Sequence, residues 1–122
     1  MAAVSRQEFE RLVEEALASL PRRFADLLQN VAVIVEEEPS AYDLEVVESD
    51  DAELLGIFRG IPMTQLSTFN TLPAMPNQVA IFRGPILRIT HNHRDEAVEQ
   101  IRETVIHELG HYFGLDDEAM EY

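Results

Sequence analysis

The sequence predicts one small α+β domain spanning residues 1–122, with an N-terminal helix, a small mixed β-sheet and a long C-terminal helix. Three observations carry that expectation. Apolar residues recur at helical spacing over the first twenty residues and again from about Arg94 onward. Between them lie short β-branched and aromatic runs separated by Gly and Pro, the pattern of strands. A chain of 122 residues supports one modest core and not two.

Ser5-Arg6-Gln7-Glu8 is a capping box, in which the serine oxygen and the glutamate satisfy amides at a helix start. Phe9, Leu12, Val13, Ala16, Leu17 and Leu20 then form the apolar face, with Glu and Arg opposite. Pro21 interrupts or restarts the helix, and Phe24, Leu27 and Leu28 extend it by a turn or two to about Asn30. Val31 to Val35, followed by Glu36-Glu37-Glu38-Pro39, reads as a buried strand with a solvated acidic exit. Leu44 to Val47 reads as a second short strand. Asp50 to Leu55 has helical character, weakened by Gly56 and Gly60. Ile57-Phe58-Arg59-Gly60 recurs as Ile81-Phe82-Arg83-Gly84, but two such short segments do not make a repeat architecture.

Ser67 to Pro76 carries two prolines and little periodicity, so a connecting loop is expected there, with Met63 and Met75 as packing residues. Gln78 to Arg83 and Ile86 to Ile89 read as strands of an antiparallel hairpin turning at Gly84-Pro85. Asn92 is then expected to cap a helix running from Arg94 to Phe113, with Asp95 and Glu96 complementing the dipole in its first turn.

On that last helix Val98, Ile101, Val105, Leu109 and Tyr112 step by three or four and define one apolar stripe. At about 100° per residue, His107 and His111 fall nearly opposite it, alongside Gln100, Glu103 and Thr104. The stretch from His107 reads H-E-x-x-H-x-x-G-x-x-D. Imidazoles four residues apart lie one above the other and can bind a single metal ion together. Gly114 lets the chain leave the helix, and Asp117 can then return as a third ligand that leaves one position open. Asp116 and Glu118 are neighbouring carboxylates. Two imidazoles and one carboxylate suit Zn2+. Glu108, beside the first histidine, is placed to take a proton from an attacking water rather than to ligate. Since zinc needs neutral imidazoles, binding should weaken as pH falls through the histidine range.

The motif, chain size and order of elements resemble the zincin metallopeptidases, and within them a small bacterial group of minimal zincin-like metallopeptidases. The resemblance is strongest over residues 78 to 117 and extends to Leu54–Pro62 (LLGIFRGIP) and the strand Val31–Val35. It implies a zincin-like fold, zinc-dependent hydrolysis of a peptide or protein substrate, His107, His111 and Asp117 as ligands, and Glu108 as general base. It also implies an edge strand, taken as Gln78–Arg83, on which an extended peptide could pair. Only five residues follow Asp117, so an open and minimal cleft is expected, and Met120 is too close to serve as a turn beneath the metal. His91, His93 and Arg83 are candidates for stabilising developing charge. Tyr112 is expected in the core.

A second reading is a non-catalytic, zinc-stabilised module that binds a peptide or partner protein. A third, a metal-dependent endoribonuclease, shares the histidine spacing but would end it in a third histidine and lack the glutamate. Glu108 and Asp117 oppose it, as does a net charge of -14 in which all nine basic residues are arginine. Such a surface repels phosphate backbones, so nucleic acid is not an expected partner. The absence of cysteine excludes a thiolate zinc site and a cysteine nucleophile. Met1–Leu20 lacks the apolar segment of a signal peptide, no run reaches membrane-spanning length, and a cytoplasmic protein is the default expectation. No propeptide is expected ahead of the first helix.

Overall fold

Ser5 starts the first helix as its sequence context demands. Its hydroxyl oxygen accepts the Glu8 backbone N–H at 3.1 Å. In the computed structural model, which describes residues 4–46, 53–60 and 77–113, this helix is α1 (Arg6–Ala18). The Glu8 carboxylate turns back to Ser5, completing the box, and also accepts from Arg94 Nε at 3.1 Å, which ties α1 to the last helix. Phe9, Leu12, Val13 and Ala16 are the buried face. Pro21 restarts the chain as α2 (Arg22–Leu27), whose Phe24 is fully buried, and a 3-10 turn over Leu28–Asn30 leads into β1 (Ala32–Glu36).

The sheet is mixed, as expected. β1 pairs parallel with β3 (Gln78–Phe82), and β2 (Gly56–Arg59) pairs antiparallel with the other side of β3. The resulting order, β1-β3-β2, corrects one expectation: β3 is central and not the edge. Its run Val79-Ala80-Ile81-Phe82 is buried on both faces, the signature of a strand paired on each side. Val79 and Ile81 join the helices in the main core, while Ala80 and Phe82 meet Ile57, Ile34 and Leu54 on the opposite face. Among the described residues, β2 is the outer strand beside the last helix.

Two further expectations are corrected. The segment read as a strand at Leu44–Val47 lies, as far as it is described, in α3 (Ala41–Val46). Ser40 and Asp43 cap it reciprocally, Ser40 N–H donating to Asp43 Oδ2 at 2.9 Å and Asp43 N–H to Ser40 Oγ at 3.1 Å. That S-x-x-D box outweighs the β propensity of the valines that follow. The expected hairpin is instead β3 followed directly by α4 (Arg83–Ile89). Pro85 stands in the first turn of α4, where its missing N–H has no intrahelical partner to lose. Gly84 N–H donates outward to the Glu37 carbonyl at 2.9 Å. The helix closes with Asn92 N–H on the Leu87 carbonyl and His91 N–H on the Arg88 carbonyl, at 3.0 and 3.4 Å. His91 and Asn92 both take positive φ, 53° and 60°, so this is a Schellman end. Asn92 therefore does not cap the following helix; its side chain accepts the Val4 N–H at 3.4 Å instead.

The last helix, α5 (Arg94–Phe113), has the expected bounds. Among the described residues, no helix is long and apolar enough to cross a membrane.

One polar cluster fastens the outer end of β2. Arg59 donates to Glu36 Oε1 and Oε2 at 2.7 and 2.8 Å, to Asp43 Oδ2 at 2.8 Å and to Gln78 Oε1 at 3.2 Å. Burial alone would raise the Asp43 carboxyl, but the bonds from Arg59 and Ser40 outweigh it and hold it below its ordinary value. The Arg59 bond likewise lowers Glu36. Groups with depressed folded-state values bind fewer protons in the native chain, so their stabilisation is complete at neutral pH and is lost as pH falls through the acid range. The urea midpoint of the metal-free protein is thus expected to hold from neutrality to about pH 5 and to fall below about pH 4. Arg59→Met should flatten part of that fall; an unchanged acid profile in the variant would contradict the assignment.

Candidate metal and active site

A long helix with one face in the core presents its other face where tertiary structure permits. Ile101, Val105, Leu109 and Tyr112 of α5 are buried, as their spacing predicts, while His107 and His111 are exposed on the other side. Their ring centroids lie 4.4 Å apart. Val98 is partly buried against the same core, and Ala97, Thr104 and Ile106 widen the buried face beyond the predicted stripe.

Glu108 sits at the flank, where α5 meets β2. Its Oε1 accepts the Phe58 backbone N–H at 3.0 Å. Burial pushes the Glu108 carboxyl above its ordinary value; the Phe58 N–H and the neighbouring histidines offset that only in part. The strand can offer this amide because of its register. Phe82 N–H donates to the Leu55 carbonyl at 2.9 Å, and Ile57 and Arg59 are the next residues directed at β3. Gly56 and Phe58 therefore turn their backbone groups away from the sheet.

The close approach of β2 to α5 requires glycine at position 56. A Cβ there would lie 2.7 Å from Thr104 Cγ2 and 2.8 Å from the Ala80 carbonyl oxygen, inside van der Waals contact. Phe58 then stacks on Tyr112 with centroids 4.1 Å apart and planes 16° apart, and Asn77 Nδ2 donates to the Tyr112 hydroxyl at 2.9 Å. Tyr112 is a core residue, as the apolar stripe implied. Between the β2 edge at Leu54–Gly56 and the α5 face carrying Gln100, Glu103, His107 and His111 runs an open groove of about 450 Å³.

The structure thus brings together His107, His111 and Glu108. Gly114, Asp116, Asp117, Glu118 and Met120 lie outside the described residues, as do the expected loop at Ser67–Pro76 and the methionines Met63 and Met75. Among the described residues, no group of three or more side chains forms a complete metal cage. Other candidates are removed by their positions. His91 is used as the left-handed end of α4, and His93, in contact with Glu96 at 3.2 Å, immediately precedes α5. His107 lies fourteen positions beyond His93 along this helix, about 20 Å of axis. Arg83 is engaged by Glu37 and by the Val4 carbonyl. The Phe58 amide has no local signal in the sequence, because it and Glu108 lie fifty residues apart.

Two imidazoles lining one groove are donors of the type that suits Zn2+, with the partly desolvated Glu108 carboxylate beside them. The model of the zincin-like metallopeptidase family matches residues 28–122. Among solved structures, the chain is similar to one described as a conserved hypothetical protein from Thermo thermophilus, with 25% sequence identity and a TM-score of 0.57, over 90% of this chain and 94% of that one. No curated protein matches it. With a match running from the end of α2 through the HExxH helix to the last residue, the chain belongs to the zincin-like metallopeptidases.

Proposed function

We propose that this chain is a zinc-dependent peptidase acting on extended or unfolded peptide substrates. The observation that carries the proposal is the convergence of His107, His111 and the half-desolvated Glu108 on one open groove beside an outer strand. His107, His111 and Asp117 would hold the ion. A zinc ion held there would supply Lewis acidity toward a carbonyl and toward water. Glu108 would accept a proton from the attacking water and deliver it to the leaving nitrogen. In the metal-free chain burial holds its carboxyl above the ordinary value, and the Phe58 N–H fixes its orientation. The outward N–H and C=O of Gly56 offer an extended peptide the pairing that was expected on β3.

The test is hydrolysis of a mixed peptide library by the zinc-reconstituted chain, read by mass spectrometry. New termini that vanish with a chelator and return with zinc are the expected result. A fully metallated chain that cleaves nothing would overturn the peptidase reading and favour a zinc-stabilised binding module.

A further inference from the structure

The groove does not end at the histidines. Phe58 meets Glu108, and Gly56 lies against Thr104, so β2 and α5 run side by side in the same direction. Two residues of strand and four of helix advance by nearly equal lengths, about 6–7 Å. One step further, therefore, Leu54 falls opposite Gln100, and both line the groove. Glu103 projects into this extension from the turn before His107. It is exposed, and among the described residues no cation pairs with it; the adjacent Arg102 is directed to Glu99. None of the arginines lines the groove. Its walls are thus apolar at Leu54 and Leu55 and anionic at Glu103.

We infer that this extension, formed by Leu54, Gln100 and Glu103, is a subsite for an Arg or Lys side chain of the bound peptide. The inference rests on the peptidase reading of the neighbouring site. An aliphatic stem lies along Leu54 while the cationic head reaches Glu103, the division such side chains favour at a mixed apolar and charged wall. The protein's net charge of -14 adds long-range attraction for the same substrates. A peptide paired antiparallel on β2 runs opposite to it. Residues after the cleaved bond then lie over Gly56 and Leu54, and those before it lie toward Arg59. The cation accordingly belongs on the C-terminal side of the cleaved bond.

The experiment compares two labelled ten-residue peptides that differ only by Arg or norleucine at one central position. Binding to the zinc-loaded Glu108→Gln chain is followed by fluorescence anisotropy, and cleavage by the wild-type chain is followed by mass spectrometry. The Arg peptide should bind about fivefold more tightly at low salt, with the difference shrinking as salt is added. Adding Glu103→Gln should remove the preference without shifting the melting temperature, because the side chain is exposed. Glu103→Arg should transfer the preference to a peptide carrying Glu. Equal binding of the Arg and norleucine peptides, or a preference that survives Glu103→Gln, would overturn the subsite. Cleavage of both peptides at equal rates would also overturn it while leaving the peptidase reading intact. A Glu103-dependent binding preference without any cleavage would support the subsite and remove the peptidase reading.

Discussion

Glu108→Gln is expected to lower zinc-dependent peptide hydrolysis by about 10²–10⁴-fold, the range a positioned general base contributes. The substitution is chosen for what it preserves. Gln retains a side-chain carbonyl oxygen where Glu108 Oε1 accepts the Phe58 N–H at 3.0 Å, so the junction between β2 and α5 keeps its bond. It removes a charge whose burial is unfavourable, since the Glu108 carboxyl is pushed up by desolvation. The metal-free variant should therefore unfold no more easily than wild type. Zinc content should also be retained, because Glu108 is not one of the assigned ligands. Loss of hydrolysis with zinc retained separates a base from a ligand. Hydrolysis that survives in Glu108→Gln would contradict the mechanism.

Leu109→Ala is expected to cost about 2–5 kcal/mol of folding free energy, measured by urea denaturation of the metal-free chain. Leu109 lies inside the motif between Glu108 and Gly110, yet its side chain is fully buried in the main core. At 100° per residue it stands about 160° from each histidine. It anchors the helix from behind while His107 and His111 face the groove. A small domain has only about 5–15 kcal/mol to lose, so the variant should be substantially destabilised. A loss below about 1 kcal/mol would mean that α5 is not held to the core along this face.

These expectations show which features of the sequence were readable and why. The bounds of α5 and the opposed placement of its histidines followed from twenty residues of consistent helical period, and packing does not contest them. α1 was equally legible, because Ser5 and Glu8 mark its start and Phe9 to Leu20 mark its face. α4 was misread because Gly84-Pro85 is a turn signal in isolation; that Pro85 falls in a helical first turn depends on where β3 stops. α3 carried its own signal at Ser40 and Asp43, masked by the valines after it. The identity of the edge strand was not local information. β2 is a short strand, and its place beside α5 depends on pairing with β3 and on Gly56 fitting against Thr104. Half of the site, the side built by β2, was therefore hidden from any argument based on the helix alone. Asp117 remains assigned by its spacing from Gly114.

The proposed function requires His107 and His111 to bind one zinc ion together. Titration of zinc into the metal-free chain at neutral pH, followed calorimetrically, tests it most directly. One ion per chain is expected. His107→Ala and His111→Ala should each weaken binding by about 100-fold or more, and Asp117→Asn should weaken it as well. Zinc binding at wild-type stoichiometry and affinity in the His111→Ala chain would contradict the account.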